Sequence, residues 1–121
     1  MAYLWVFIGG GAGSMCRYAL SHWLNPDTAA DGLAWGTLVA NILACLVLGV
    51  GLALLLQDRL DYQWRLLLLT GFCGGFSTFS TFALELIQQG QENAGLAALY
   101  LLLSLAGGVG AILLGQSLLA T

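Results

Sequence analysis

Residues 70–82 hold the densest chemistry in the chain. Gly74 and Gly75 are followed by Ser77, Thr78, Ser80 and Thr81, all inside an apolar and aromatic stretch. Glycine weakens a helix, and serine and threonine offer its backbone competing hydrogen bonds. The run predicts a break or kink near residues 74–78. Carbonyls released at such a break can coordinate a cation, as unwound helices do in transporters. Past the break, Ser77, Thr81, Glu85 and Gln88 fall at i, i+4, i+8 and i+11, a polar stripe along one helix face. Phe79 and Phe82, three residues apart, share an adjacent face, and an aromatic ring presents a positive edge. Neutral hydroxyl and amide donors can replace part of an anion's hydration shell, much as carbonyls do for cations. A small, hard, strongly hydrogen-bonded anion suits such a path. The competing reading is an aromatic packing cluster whose hydroxyls bond back to their own helix.

Two more polar residues lie where apolar ones belong. Asn41 stands between Ala40 and Ile42 and offers both donors and an acceptor. It reads equally as an interhelical clamp and as a ligand contact. Arg17 is the only charged residue in its segment. It reads as a structural anchor, snorkelling or held by carbonyls, or as a source of positive potential beside an anion path.

The elements that must position these groups follow from composition. Of 121 residues, 60% are hydrophobic and 7% charged, against about 25% charged in an ordinary soluble domain. Three basic and six acidic residues give a net charge of −3. So few charges cannot cover a soluble globule, and disordered chains are polar rather than apolar. With no basic patch, a nucleic-acid partner is excluded. An integral membrane protein remains, surrounded by lipid.

A spanning helix takes about 20 apolar residues, and four fit: residues 3–24, 33–56, 64–87 and 95–119. The chain is thereby expected to form a single four-helix transmembrane domain over 1–121. Asn25-Pro26-Asp27 marks one turn, and the polar runs 57–61 and 88–93 mark two connectors. Trp5, Trp23, Trp35, Trp64, Tyr3, Tyr62 and Tyr100 lie near predicted span ends, as aromatic belts do. A β-barrel would alternate polar and apolar residues, and runs such as 66–69 and 101–103 do not. The N-terminal stretch lacks the basic region of a cleaved signal peptide.

Orientation follows arginine and lysine bias in short loops. Only Arg59 and Arg65 sit near a loop, accompanied by Asp58 and Asp61. Such weak bias fits insertion both ways up, and so a dual-topology antiparallel homodimer; a single orientation with the 57–61 loop in the cytoplasm is the alternative. The 17 glycines fit close helix packing through small residues. Gly9 and Gly13, then Cys45, Gly49 and Ala53, then Gly107, Ala111 and Gly115 form the expected faces. Cys16, Cys45 and Cys73 fall in three different spans, which suggests neither a disulfide framework nor a zinc site. His22 stands alone near an interface.

These residues resemble the Fluc (CrcB) fluoride channel family. The string 71–82 resembles its signature, residues 36–41 with Gly49 its second motif, and Gly9-Gly10, Gly13 and Arg17-Tyr18 its third. The likeness runs through all four spans. It implies an antiparallel homodimer with two fluoride pores in a bacterial inner membrane, passively exporting fluoride to limit its toxicity. It further implies that Phe79 and Phe82 meet fluoride with their edges. Asn41 would be the pore asparagine, with Ser80 and Thr81 on the polar track and Glu85 near one end. Backbone carbonyls of Gly74 and Ser77 would hold a structural sodium ion on the dimer axis. Arg17 would lie near the path. Ser14, Ala40 and Ala44 depart from the family pattern by small-residue swaps on packing faces.

Three rivals fit less well. A small multidrug-type exporter needs a carboxylate in span one, where this chain has only Arg17. An accessory packing subunit needs no hydroxyl-rich break. An enzyme needs a paired acid–base set or a metal cluster.

Overall fold

The computed structural model describes residues 1–24 and 35–118. The turn expected at Asn25-Pro26-Asp27, the first two residues of span two and the last of span four lie outside the described residues. In chain order the elements are α1 (Ala2–Leu24), α2 (Trp35–Leu56), α3 (Tyr62–Trp64), a π-helical segment (Arg65–Cys73), α4 (Gly74–Phe76), α5 (Ser80–Glu92) and α6 (Ala94–Leu118).

Three stretches are long and apolar enough to cross a membrane: Trp35–Leu56, Tyr62–Glu92 and Ala94–Leu118. With 23 residues, α1 matches them in length, but its glycines, Arg17 and His22 make it less apolar. At 1.5 Å per residue each covers the roughly 30 Å of a hydrocarbon core.

The ends of the elements follow local chemistry. α2 closes in a Schellman motif: Asp58 takes the left-handed conformation at φ 57°. The Arg59 N–H then reaches the Leu54 carbonyl at 2.9 Å, and the Asp58 N–H reaches that of Leu55 at 3.0 Å. The connector expected over residues 88–93 is shorter than its polarity suggests. α5 stays helical through Glu92, and Asn93 alone turns the chain. Asn93 also caps α6, its side-chain oxygen accepting from the N–H groups of Gly95 at 3.0 Å and Leu96 at 3.2 Å.

Packing places glycine against backbone. A Cβ on Gly13 would lie 2.7 Å from the Phe72–Phe76 turn, at the Phe76 nitrogen, and one on Gly9 would lie 2.9 Å from the Phe72 nitrogen. These two buried glycines therefore let α1 settle onto the first half of span three. On the other side, a Cβ on Gly115 would lie 2.6 Å from the Leu46 carbonyl oxygen, so α2 and α6 also meet backbone to backbone. The buried small face of α6 is Gly108, Ala111 and Gly115. Gly107, expected on that face, instead looks toward the Ile42 side chain.

Two apolar clusters organise the interior. One joins Leu38, Phe82 and Tyr100, with Ile42, Leu86 and Leu96 against them. The other joins Ala40, Ala44 and Phe76, with Leu20 and Phe72. α2 contributes to both. Elsewhere large apolar side chains such as Phe7, Tyr18, Leu102 and Leu113 are exposed. The belt residues Tyr3, Trp23, Trp35, Tyr62 and Trp64 are exposed too. Tyr100 departs from the belt expectation: it is 0% exposed, in the first cluster.

Candidate functional site

The helical ladder of span three stops at Phe76 and resumes at Ser80. Ser77 is extended, with φ −85° and ψ 155°. Its hydroxyl bonds back to the Cys73 carbonyl at 2.7 Å, which satisfies the hydroxyl but gives the chain no helical continuation. The residue that receives the exposed backbone is Asn41. Its Oδ1 accepts the Thr78 N–H at 2.9 Å, and its Nδ2 donates to the Thr78 carbonyl at 3.4 Å. Next along, the Thr81 N–H donates to the Thr78 hydroxyl at 3.4 Å, so Thr78 receives one of the free N–H groups in the first turn of α5.

These bonds have a consequence for two carbonyls. In a continuous helix the Thr78 N–H would close onto the Gly74 carbonyl, and the Thr81 N–H onto that of Ser77. Both N–H groups are turned to side chains instead. Among the described residues, the Gly74 and Ser77 carbonyls thereby lose their helical donors. Gly74 and Ser77 also line a shared cavity of about 200 Å³ with Ala44, Cys45, Leu48, Leu69 and Cys73.

A second cavity, of about 250 Å³, opens at the break. Asn41, Ser77, Thr78, Phe79 and Phe82 line it together with Ser104 and Gly108 of α6. The two phenyl rings stand 6.2 Å apart, tilted by 49°. Phe82 is 8% exposed and Phe79 is 79% exposed, so one ring is fixed in the subunit and the other projects from it. Ser104 was not singled out by the sequence. Its hydroxyl is buried without a hydrogen-bond partner, and its one legible mark is standing as a serine between Leu103 and Leu105.

Glu85 is positioned from two helices. The Thr37 hydroxyl donates to one carboxylate oxygen at 3.1 Å, and the Tyr100 hydroxyl donates to the other at 2.9 Å. The Tyr100 ring meets Phe82 at 5.2 Å, which joins this network to the phenylalanine pair. Tyr100 and Thr37 were not read from the sequence as partners of Glu85, because the contacts cross between helices far apart in the chain.

The other expected residues are arranged around this centre. Ser80 is exposed, with its hydroxyl 3.4 Å from that of Thr78. Thr81 is half-buried behind it. Neither lines the cavity with Phe79 and Phe82. The polar stripe on α5 runs Thr81, Glu85 and then Gln89, which is buried, whereas Gln88 is exposed. Arg17 donates from Nε to the Gly75 carbonyl at 3.1 Å, which places its guanidinium at the end of α4, where the helix dipole favours a cation. The three cysteines are free thiols, and Cys73 donates to the Ala44 carbonyl at 3.6 Å.

Together these features form a polar, carbonyl- and hydroxyl-lined interruption inside an apolar bundle. It has neutral donors, an aromatic pair and no basic group among the cavity linings. Irregular backbone at such depth is tolerated where it is buried in protein or lines a wet cavity.

A fluoride-specific ion channel, FluC, of Enterobacter sp. (strain 638) is 49% identical over 96 residues, covering 76% of this chain and 74% of that protein. Its namesake in Serratia proteamaculans is 46% identical over 104 residues, covering 84% and 80%. The one in Leptospira interrogans is 42% identical over 111 residues, covering 88% and 85%. The channel relatives and the apolar helices together make this a multi-pass membrane protein. Residues 4–116 match the family described as CrcB-like protein, camphor resistance, so the chain belongs to that family.

Proposed function

We propose that this chain is a fluoride-selective ion channel, not an enzyme, that lets fluoride leave the cytoplasm passively and so limits its toxicity. The observation that carries the reading is the cavity at the break, where Phe79 and Phe82 meet the donors of Asn41 and Ser104. Fluoride holds its hydration shell strongly, and a path for it must offer replacement hydrogen bonds without a fixed cation that would trap it. Neutral amide and hydroxyl donors beside the positive edges of two rings meet that requirement. Ser80 and Thr81 continue the track along α5 toward Glu85. Arg17 contributes positive potential from behind α4 while anchoring the Gly75 carbonyl.

The working unit is a single four-helix transmembrane domain, paired with a second copy in antiparallel orientation in the bacterial inner membrane. Phe79 projects from its own subunit, as a ring completing a pore against a partner would. The Gly74 and Ser77 carbonyls, released from the helical ladder, suit a sodium ion held between the two copies. Sodium is a hard cation that takes oxygen ligands, and bound there it would supply positive charge and tie the two breaks together. Non-helical carbonyls of this kind hold sodium in transporters.

Liposomes loaded with fluoride or chloride and containing the purified chain test the reading. Fluoride leaves rapidly and chloride is retained. Chloride efflux at a similar rate, or no fluoride efflux, overturns it.

A further inference from the structure

On α5 the polar positions follow one another by single turns: Thr81, Glu85, Gln89. Gln89 is 7% exposed, and its side-chain oxygen is buried with no hydrogen-bond partner. A buried amide oxygen is ordinarily bonded, and an unbonded one calls for a donor such as water, or for the amide to turn and present its NH₂ there instead. Glu85, one turn earlier, has no donor to offer. Its two oxygens take up the hydroxyls of Thr37 and Tyr100, which spends both of those donors. An anion moving along the stripe past Glu85 therefore meets acceptors, and the next neutral donor on that face is the Gln89 carboxamide. A half-turn of the amide exchanges its NH₂ and its oxygen at the same buried position.

Resting on the fluoride-channel reading, we propose that Gln89 is a further ion-contacting residue: its carboxamide binds fluoride at the outer end of the α5 stripe, between bulk water and the Glu85 network. It governs how readily the ion gains or sheds its hydration there.

The test is fluoride efflux from liposomes carrying the full-length chain, with Gln89→Leu and the near-isosteric Gln89→Glu, each checked for unchanged elution on gel filtration. Gln89→Leu removes one hydrogen bond to the ion and slows efflux about tenfold. Gln89→Glu places a negative charge in the path and slows it further at low ionic strength, with partial recovery when an impermeant salt is added, because salt screens the charge. Wild-type rates in both variants overturn the proposal, as does a loss in Gln89→Glu that salt leaves unchanged, which marks a purely structural role. If Gln89→Leu fails to fold, the salt response of Gln89→Glu decides alone. Absence of fluoride efflux in the unmutated chain is a separate result: it overturns the channel reading itself.

Discussion

Asn41 holds Thr78 by both of that residue's backbone groups, accepting from its N–H at 2.9 Å and donating to its carbonyl at 3.4 Å. A clamp and a cavity wall are thus the same side chain, since Asn41 also lines the space beside Phe79 and Phe82. Asn41→Asp keeps the accepting half, loses the donating half and adds a charge. Two like charges about 4 Å apart repel by ~4 kcal/mol at an effective dielectric of about 20. Fluoride efflux is therefore expected to fall by a hundredfold or more. Wild-type efflux from this variant restricts Asn41 to the clamp.

The phenylalanines separate by burial. Phe79→Ile removes a projecting ring and leaves the thermal midpoint of the purified protein close to that of wild type. Phe82→Ile also removes a ring packed on Tyr100 and lowers stability by roughly 1–2 kcal/mol. Both abolish fluoride efflux while the elution volume on gel filtration stays that of the unmutated protein. Unchanged efflux in both removes the aromatic pair from the path.

Tyr100→Phe retains the ring stack and deletes one of the two donors to Glu85. A loss of about 1 kcal/mol is expected. The double variant with Thr37→Val tests whether the two donors act as one unit. Thermal denaturation of the two single variants and the double, read as a mutant cycle, should show non-additive losses, because both hydroxyls serve one carboxylate. Additive losses would mean the two bonds are independent.

Glycine packing gives a contrast within one residue type. Gly13→Ala drives a methyl group into the Phe72–Phe76 backbone, 2.7 Å from the Phe76 nitrogen, whereas a Cβ on Gly110 meets nothing within 4 Å. Gly13→Ala is expected to cost about 1–3 kcal/mol by forcing α1 off span three. Gly110→Ala is expected to leave the subunit's melting temperature unchanged. Equal behaviour of the two in thermal unfolding would contradict the close approach of α1.

Insertion in both orientations is checked by a C-terminal tag probed from each side of the membrane. With only three basic residues in the chain, comparable labelling from both sides is expected. Labelling from one side alone ends the antiparallel arrangement.

The sequence made the apolar spans and the hydroxyl-rich string of span three easy to read, because both depend on neighbours in the chain. The glycines and hydroxyls near residues 74–78 announce a break by type alone, and the structure sets it at residues 77–79, since Gly74–Phe76 is still helical. What the string does not carry is who receives the freed backbone: Asn41 and Thr78 are 37 positions apart, and no period links them. The same holds for Glu85 with Thr37 and Tyr100. Tyr100 reads as an interfacial aromatic by its place near a span end, yet tertiary packing buries it. The polarity of residues 88–93 suggests a loop, yet α5 runs to Glu92 and closes with the Asn93 N–H on the Gln89 carbonyl. Gln88 and Gln89 are equally placed by spacing after Glu85, and only packing decides which is buried.

The change of partner in span three has a mechanical consequence. Residues 65–76 are seated on α1, while α5 is seated on α6 and on the Leu38 end of α2. Span three therefore changes partner at residues 77–79, with α2 running across the join like a splint. When the bilayer thins or thickens, helices answer by tilting, and the deformation gathers where the backbone ladder is interrupted. Asn41, reaching from the splint, and Arg17, reaching from α1 to Gly75, pin that join from two directions. On the channel reading, the cavity at the join answers to the helices on either side of it, and lipid thickness becomes a variable to which fluoride efflux should respond.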